Sequence, residues 1–239
     1  MPIVLLLRHG RSTSNTAGTL AGRTPGIHLD EKGRSQAMTA GERLRGCRLD
    51  LAVTSPMERC RETLDLVLDS AALDVPRLVD EQVTECDYGQ WSGRTLSELA
   101  EEPLWKQVQQ APSGVTFPGG ESMRQMAGRM VDAVTRTSAR VARQASAGGA
   151  AGAGDEGVWL LASHGDPIKA VLSHALGQSL DDFQRIVVDP ASVSIVRWPA
   201  PGDSTPPLVL TMNTTAGPLS SRLGGQAPQL GGGLGSQQD

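Results

Sequence analysis

Apolar and polar positions along the chain fall into two alternating periods. Ile3 to Leu7 is an unbroken apolar run, and Val158 to Ala162 repeats it near the far end. Runs of this length read as strands buried on both faces. Between them, Glu31 to Arg45 carries Ala37, Ala40, Gly41 and Leu44 at helical spacing, and Leu49–Thr54 reads as a second strand. Ser55-Pro56-Met57-Glu58 then predicts a helix start, with Ser55 as cap, Pro56 in the first turn and Glu58 closing a capping box. That helix runs to about Ser70 and buries Cys60, Leu64, Val67 and Leu68. Pro76–Asp80 is a weaker third strand.

Thr95 to Glu98 forms another capping box, opening a helical stretch broken at Pro103. Pro118-Gly119-Gly120 is a turn, and Ser122 with Gln125 caps the next helix. The stripe of Met123, Met126, Ala127, Met130, Val134 and Val141 on that helix reads as core. Ala145–Gly157 is a Gly/Ala loop, read as flexible. Pro167 starts a helix, with Asp166 as its cap. Ser192–Trp198 and Leu208–Met212 are closing strands, candidates for antiparallel pairing. From Ala216 onward Gly, Gln, Ser and Pro dominate, which predicts a disordered tail over 216–239. Strands alternating with helices predict a three-layer α/β/α sandwich with a mostly parallel central sheet over 1–215. The stretch 94–120 lies between core elements and reads as a lid or specificity insert.

Composition narrows the classes. The 239 residues suffice for a buried core, and a net charge of −4 argues against a dedicated nucleic-acid binder. The three cysteines, Cys47, Cys60 and Cys86, form no CxxC pair, so neither a disulfide framework nor a structural zinc site is expected. The apolar start is too short for a secretory signal and nothing approaches a membrane-spanning run. A cytoplasmic protein that binds neither membrane nor nucleic acid is the expectation.

Four segments carry candidate chemistry. Arg8-His9-Gly10-Arg11-Ser12, with Asn15, ends the first strand. Arginine forks suit phosphoryl oxygens, and a neutral imidazole can attack phosphorus; taken alone, the tripeptide also fits a surface histidine in an ordinary loop. Arg59 sits in the first turn of a helix, where the backbone dipole favours anions, although a solvated arginine fits that position too. Arg61 is about 200° around the helix and reads as surface. Glu85, ahead of an irregular aromatic and glycine-rich segment, is a candidate general acid if burial or Asp87 raises its pKa. Cys86 reads as a small buried filler. The fourth segment is Ser163-His164-Gly165-Asp166-Pro167, in which His164 would donate to a phosphoryl group as a cation or a fixed tautomer, while Asp166 reads as a cap rather than a catalytic group. His28 and His174 read as structural or surface.

Together these segments resemble the histidine phosphatase superfamily, branch 1, also called phosphoglycerate mutase-like. The resemblance rests on Arg8-His9-Gly10 with Ser12 and Asn15, the Gly22 to Ala37 segment, Ser55-Pro56 with Arg59 and Thr63, Glu85 through Gly93, Pro118 to Ser122, and His164-Gly165, in that order. It implies that His9 becomes phosphorylated, that Arg8, Arg59 and His164 clamp the phosphoryl oxygens with Asn15 assisting, and that Glu85 protonates the leaving alkoxide and then activates water. Arg23, Arg11 and the insert would select the substrate. Neither metal nor other cofactor is implied, since the clamp supplies the positive charge, and a homodimer is compatible with the family.

There are departures from the family pattern. Arg11 stands where many members carry Glu or Gln. Asp166 stands where many carry a small residue or Asn, and would repel anions if it pointed inward. The adjacent arginine pair of cofactor-dependent mutases is missing between Arg94 and Pro118. The expected activity is hydrolysis of small organic phosphate monoesters. A phosphomutase and a regulatory member of the fold are the alternatives, and a metallohydrolase built on His9, His164 and a carboxylate is a remote one.

Overall fold

The computed structural model describes residues 1–147, 156–200 and 202–217. Among them, one sheet contains β1 (Ile3–Arg8), β2 (Leu51–Thr54), β3 (Arg77–Val79), β4 (Val158–Ser163), β5 (Val193–Arg197) and β6 (Leu208–Thr214). Their order is β3-β2-β4-β1-β5-β6. The ladders joining β3, β2, β4 and β1 are parallel, and β5 runs antiparallel to both β1 and β6. The sheet is therefore mixed but mostly parallel.

Helices cover both faces, which explains why the central strands are apolar throughout rather than alternating. Val4 and Leu6 of β1, Leu51 and Val53 of β2, and Trp159 and Leu161 of β4 face one core. Leu5, Leu7, Ala52, Leu160 and Ala162 face the other. The helices are α1 (Thr13–Ala17), α2 (Glu31–Leu44), α3 (Glu58–Ala71), α4 (Leu96–Ala100), α5 (Pro103–Gln110), α6 (Met123–Ala147) and α7 (Gly165–Ala175). Helices α6 and α7 serve the first core, with Met123, Met126 and Met130 fully buried, while α2 and α3 serve the second. The α2–α3 packing is close because a Cβ on Gly41 would lie 2.4 Å from the Val67 carbonyl oxygen.

Two capping expectations are overturned. Helix α3 starts at Glu58 behind Met57, with no side-chain cap. Ser55 Oγ is engaged by His164 instead, and Glu58 Oε1 accepts from Gly26 N at 3.0 Å. Helix α7 starts at Gly165 with His164 in the cap position, and Asp166 lies in the first turn, fully buried. Its carboxylate is drawn inward by Tyr88 and Lys169 rather than capping. The boxes at Thr95–Glu98 and Ser122–Gln125 form as the spacing predicts.

Within 94–120, Leu99, Val108, Val115 and Phe117 are buried in the first core, alongside Trp91. Helix α6 continues through Ala147, so the segment expected to be a loop from Ala145 begins as helix. Residues 148–155 of that segment, and 218–239 of the expected tail, lie outside the described residues. Among the described residues no helix is long and apolar enough to cross a membrane.

Candidate active site

Strands β1 and β4 run parallel in register, with Arg8 opposite Ser163. The next residue of each strand is a histidine, so His9 and His164 emerge side by side, ring centroids 5.3 Å apart. Both lie at the carboxyl edge of the sheet, where open α/β folds place their ligands. The His9 backbone is joined to the end of β4 by His9 N donating to Ser163 O at 3.0 Å.

Hydrogen bonds assign the tautomers. His9 Nδ1 lies 2.7 Å from the Gly10 carbonyl oxygen, which can only accept. Nδ1 therefore holds the proton and Nε2 keeps the lone pair. Burial first, then the charges of Arg59 and Arg8, hold the imidazole well below the usual histidine range, so the ring is neutral. On His164, Nδ1 receives Arg59 Nη2 at 3.1 Å, and guanidinium can only donate. The neutral ring then carries its proton on Nε2 and donates to Ser55 Oγ at 2.7 Å. Burial, then Arg59 and His9, hold His164 well below its ordinary pKa too. Of the two states expected for His164, these contacts select the fixed neutral tautomer.

Two buried arginines supply the positive charge. Arg8, from the end of β1, donates through Nη1 to Val188 O at 2.7 Å, and its pKa is lowered by burial against the pull of Glu85, Asp189 and Asp166. Arg59, from the first turn of α3, donates through Nη2 to Gly22 O at 2.8 Å, while its buried Nη1 has no hydrogen-bond partner among the described residues. A buried guanidinium nitrogen without a partner is costly unless an anion comes to meet it. Gly10 N donates to Thr63 Oγ1 at 3.0 Å, and Thr63 Oγ1 donates to Arg59 O at 2.6 Å, so the loop bearing His9 is tied to the helix bearing Arg59.

Glu85 is 3% exposed and accepts from Cys86 N through Oε1 at 2.9 Å. Burial, then the charge of Asp166, raises its carboxyl pKa to about 7, against the lowering effects of the Cys86 N–H, Arg59 and Arg8. A carboxyl that is half protonated near neutral pH can both give and take a proton. Cys86 is buried, as is Cys60, whose thiol is pushed up to about 12, mainly by burial; neither is a thiolate at neutral pH.

The remaining candidates are placed differently. Asn15 Oδ1 accepts from Ser12 N and Ser12 Oγ at 3.0 and 2.9 Å, closing the capping box of α1. Ser12 and Asn15 thus shape the loop that follows His9. Arg11 is paired with Asp30 at 2.6 Å, which offsets the charge it was expected to add at the mouth. Arg23 donates through Nε to Glu85 O at 2.9 Å and through Nη2 to Glu121 Oε1 at 2.9 Å. Arg61 is exposed, His28 pairs with Glu62 on the surface, and His174 stacks on Trp198.

Several residues at the site escaped the sequence reading. Arg129, on α6, donates through Nη2 to Glu85 O at 2.9 Å and to Glu121 Oε1 at 2.6 Å. Glu121 also accepts from Asp87 N at 2.9 Å, so one carboxylate gathers both arginines that hold the Glu85 carbonyl. Glu121 belongs to the Pro118–Ser122 string, which signalled its presence; Arg129 carried no signal beyond its place on a helix. Ser55, Tyr88 and Lys169 also make their contacts across the fold. An open cleft of about 610 Å³ lies beside this network, lined by Arg23, Glu58, Thr84, Glu121 and Arg129 among others. Among the described residues no group of three or more His, Cys, Asp or Glu side chains is placed to hold a metal ion.

Comparison with known proteins matches residues 4–206 to the model of the histidine phosphatase superfamily, branch 1. A bifunctional protein of Mycobacterium tuberculosis is 34% identical over 210 residues, 86% of this chain and 53% of that protein. The chain thus spans about half the length of the curated mycobacterial relatives it matches. The 2,3-bisphosphoglycerate-dependent phosphoglycerate mutase 2 of Gloeobacter violaceus is 28% identical, over 79% of this chain and 82% of its own length. The solved structure of a mycobacterial glucosyl-3-phosphoglycerate phosphatase with VO3 superposes with a TM-score of 0.75 at 25% identity, covering 89% of this chain and 99% of that one.

Proposed function

The chain belongs to the histidine phosphatase superfamily, branch 1, and from that premise we propose that it is a metal-independent phosphomonoesterase acting on small organic phosphates. The observation that carries this reading is the tautomer of His9: with Nδ1 tied to Gly10 O, the lone pair on Nε2 is offered beside His164 and within the field of Arg8 and Arg59. His9 Nε2 forms a bond to phosphorus as the bond to the leaving oxygen breaks, and protonated Glu85 gives its proton to that oxygen. In the second step Glu85, now a carboxylate, takes a proton from water. The resulting hydroxide attacks phosphorus, the N–P bond breaks, and inorganic phosphate, the His9 lone pair and the Glu85 proton are restored. Arg8 and Arg59 balance the charge on the equatorial oxygens, the main task in phosphoryl transfer, and His164 is positioned to join them once its ring exchanges Arg59 or Ser55 for a phosphoryl oxygen.

Hydrolysis is preferred to phosphomutase activity on this chain's own residues. A mutase must hold a second phosphate, and the basic side chains between residues 94 and 118 are Arg94 and Lys106, of which Arg94 is already paired with Glu102 at 2.6 Å. The test is rapid-quench kinetics on alkyl and aryl monoesters without a bisphosphate primer. Transient acid-labile phosphohistidine and stoichiometric phosphate release, both lost in His9→Ala, are the expected result. Turnover that needs a bisphosphate primer would overturn hydrolysis in favour of a mutase, and activity surviving in His9→Ala would overturn the mechanism.

A further inference from the structure

The Arg8 guanidinium is tied to a side chain that lies beyond β5, on the edge strand β6. Arg8 Nη1 donates to Val188 O at 2.7 Å, in the stretch that leads into β5. That carbonyl shares one peptide unit with Asp189 N–H, and the atoms of a peptide unit lie close to a plane. Asp189 N donates to Asn213 Oδ1 at 2.7 Å, and Asn213 Nδ2 donates to Asp189 Oδ2 at 3.0 Å. A backbone N–H can only donate, so the first contact also fixes which end of the amide carries oxygen. A continuous path thus runs from the guanidinium, through one peptide plane, to the Asn213 amide. Arg8 and Val188 are buried, and in such surroundings each bond of a chain polarises the next.

The same stretch holds the backbone that carries the nucleophile. Arg8 N donates to Ser192 O and Ala191 N donates to His9 O, both at 3.1 Å. Ser192 N returns to Asp189 O at 3.0 Å, which closes 188–192 into a cradle. Among the described residues, Ala72, Ala191 and Asn213 are the non-glycine residues with a left-handed backbone. Ala72 ends α3, and the other two belong to this arrangement, with φ of 55° and 51°. Left-handed geometry is costly for a residue with a side chain, least so for asparagine. It persists where the surroundings over-determine it, and such places cluster at functional sites. The β5–β6 register also slips beside Asn213, with Val193 opposite Thr214 but Ile195 opposite Thr211. A slip of this kind re-aims a side chain, and Asn213 N donating to Ser194 Oγ at 2.9 Å fastens its root.

Resting on the reading of Arg8 as part of the phosphoryl clamp, we propose that Asn213 is a positioning residue for phosphate: its two-point grip on Asp189 orients the Val188–Asp189 peptide and so sets where the Arg8 guanidinium stands. The guanidinium is a rigid planar fork. Rotating the carbonyl that accepts Nη1 therefore tilts the nitrogens that face the phosphoryl oxygens. Gripping Asp189 serves a second end, because its charge supports that of Arg8 against burial. Asn213 acts through Arg8 rather than on the substrate. Phosphoryl oxygens are common to every monoester, so the effect is independent of the leaving group.

Asn213→Gly tests the role, since glycine keeps the left-handed backbone without steric cost and removes the amide. The probe is inorganic phosphate, titrated calorimetrically into the full chain, which yields both Kd and the number of competent sites. Asn213→Asp is the second variant. Aspartate also tolerates a left-handed backbone, but its carboxylate offers no donor and is set against Asp189. Arg8→Lys, alone and with Asn213→Gly, shows whether the effect passes through the guanidinium, because a flexible ammonium has no planar fork to tilt.

Phosphate Kd is expected to rise roughly tenfold in both Asn213 variants, with the number of sites retained. Values of kcat/KM for an alkyl phosphate and for p-nitrophenyl phosphate should fall by the same factor. In the Arg8→Lys background, Asn213→Gly should change Kd by less than about twofold. An unchanged Kd in the Asn213 variants, with or without fewer sites, assigns Asn213 to architecture alone and overturns the role. The full loss repeated in the Arg8→Lys background overturns it equally, since the effect then bypasses Arg8. Phosphate bound by an unmodified chain that forms no phosphohistidine would instead overturn the proposed function and leave this inference standing.

Discussion

Gly10 and Gly33 touch across the mouth of the site: a Cβ on Gly10 would lie 2.4 Å from the Gly33 carbonyl oxygen. The contact joins the loop that presents His9 to the first turn of α2. It continues on the other side, where a Cβ on Gly33 would lie 1.9 Å from the Arg11 carbonyl oxygen. The backbone here is packed too closely for any side chain. Gly10 also supplies the carbonyl that sets the His9 tautomer, so the residue held in this close approach is the one that selects which nitrogen reacts.

Gly33→Ala tests that packing without touching a catalytic group. The new methyl meets backbone rather than a flexible side-chain tip, so the loop must move. A loss of about 1–3 kcal/mol is expected, as for overpacking elsewhere, read as a lower urea midpoint. Phosphohistidine formation should slow as well. Unchanged stability and unchanged phosphorylation would contradict the close approach.

Ser55→Ala addresses the residue that sequence assigned to capping. Its hydroxyl receives the buried His164 Nε2–H, and losing that acceptor costs about 1–3 kcal/mol by the usual penalty for a buried unpaired donor. If Ser55 were only a helix cap, turnover would survive at matched folding. A fall in kcat of about tenfold or more, following from misplacement of His164, is expected instead.

The arginine network offers a prediction about positioning. Arg129→Met removes a bond to the Glu85 carbonyl and the ion pair with Glu121 while preserving much of the side-chain volume. Alkyl phosphates should slow about tenfold or more, and activated aryl phosphates much less, because a misplaced acid matters only when the leaving group needs a proton. Equal slowing of both classes would place Arg129 in the phosphoryl clamp rather than behind the acid.

The pH dependence of stability carries two opposing signs. His9 and His164 have pKa values held well below 6.5 in the folded chain, so as pH falls through about 6.5 the unfolded chain takes up protons that the folded one refuses. Stability therefore falls on the acid side, by up to about 1.4 kcal/mol per pH unit for each ring. Glu85 works the other way. Its folded pKa of about 7 exceeds the ordinary 4.5, so its contribution is complete below 4.5 and is lost as pH rises through 7. Glu85→Gln should consequently be more stable than the unmodified chain at pH 8, by on the order of 2 kcal/mol, with little difference at pH 4. Chemical denaturation at the two pH values is the measurement, and a destabilised variant at pH 8 would reverse the sign.

Much of this arrangement could be read from local pattern. The double-sided burial of two runs, Val4 to Leu7 and Trp159 to Ala162, follows from apolar continuity over strand-length segments. The Thr95 and Ser122 caps follow from spacing of three, because both partners sit in one turn. Ser55 and Asp166 carried equally good local signals and went elsewhere. In each case a partner distant in sequence, His164 for Ser55 and Tyr88 for Asp166, offered a buried hydrogen bond that outweighs an exposed cap.

Local pattern along the chain sets the strands, most of the helices, and which residue types stand where strands end. Those depend on periodicity and on contacts within a few residues. The His9 and His164 tautomers, the holding of Glu85 by Arg23 and Arg129, and the inward turn of Asp166 arise from packing in three dimensions. Each of these is a polar contact made in a place shielded from water by elements far apart along the chain. In such surroundings an unpaired donor or charge is expensive, so the partner that burial provides, rather than the nearest one in sequence, fixes what the side chain does.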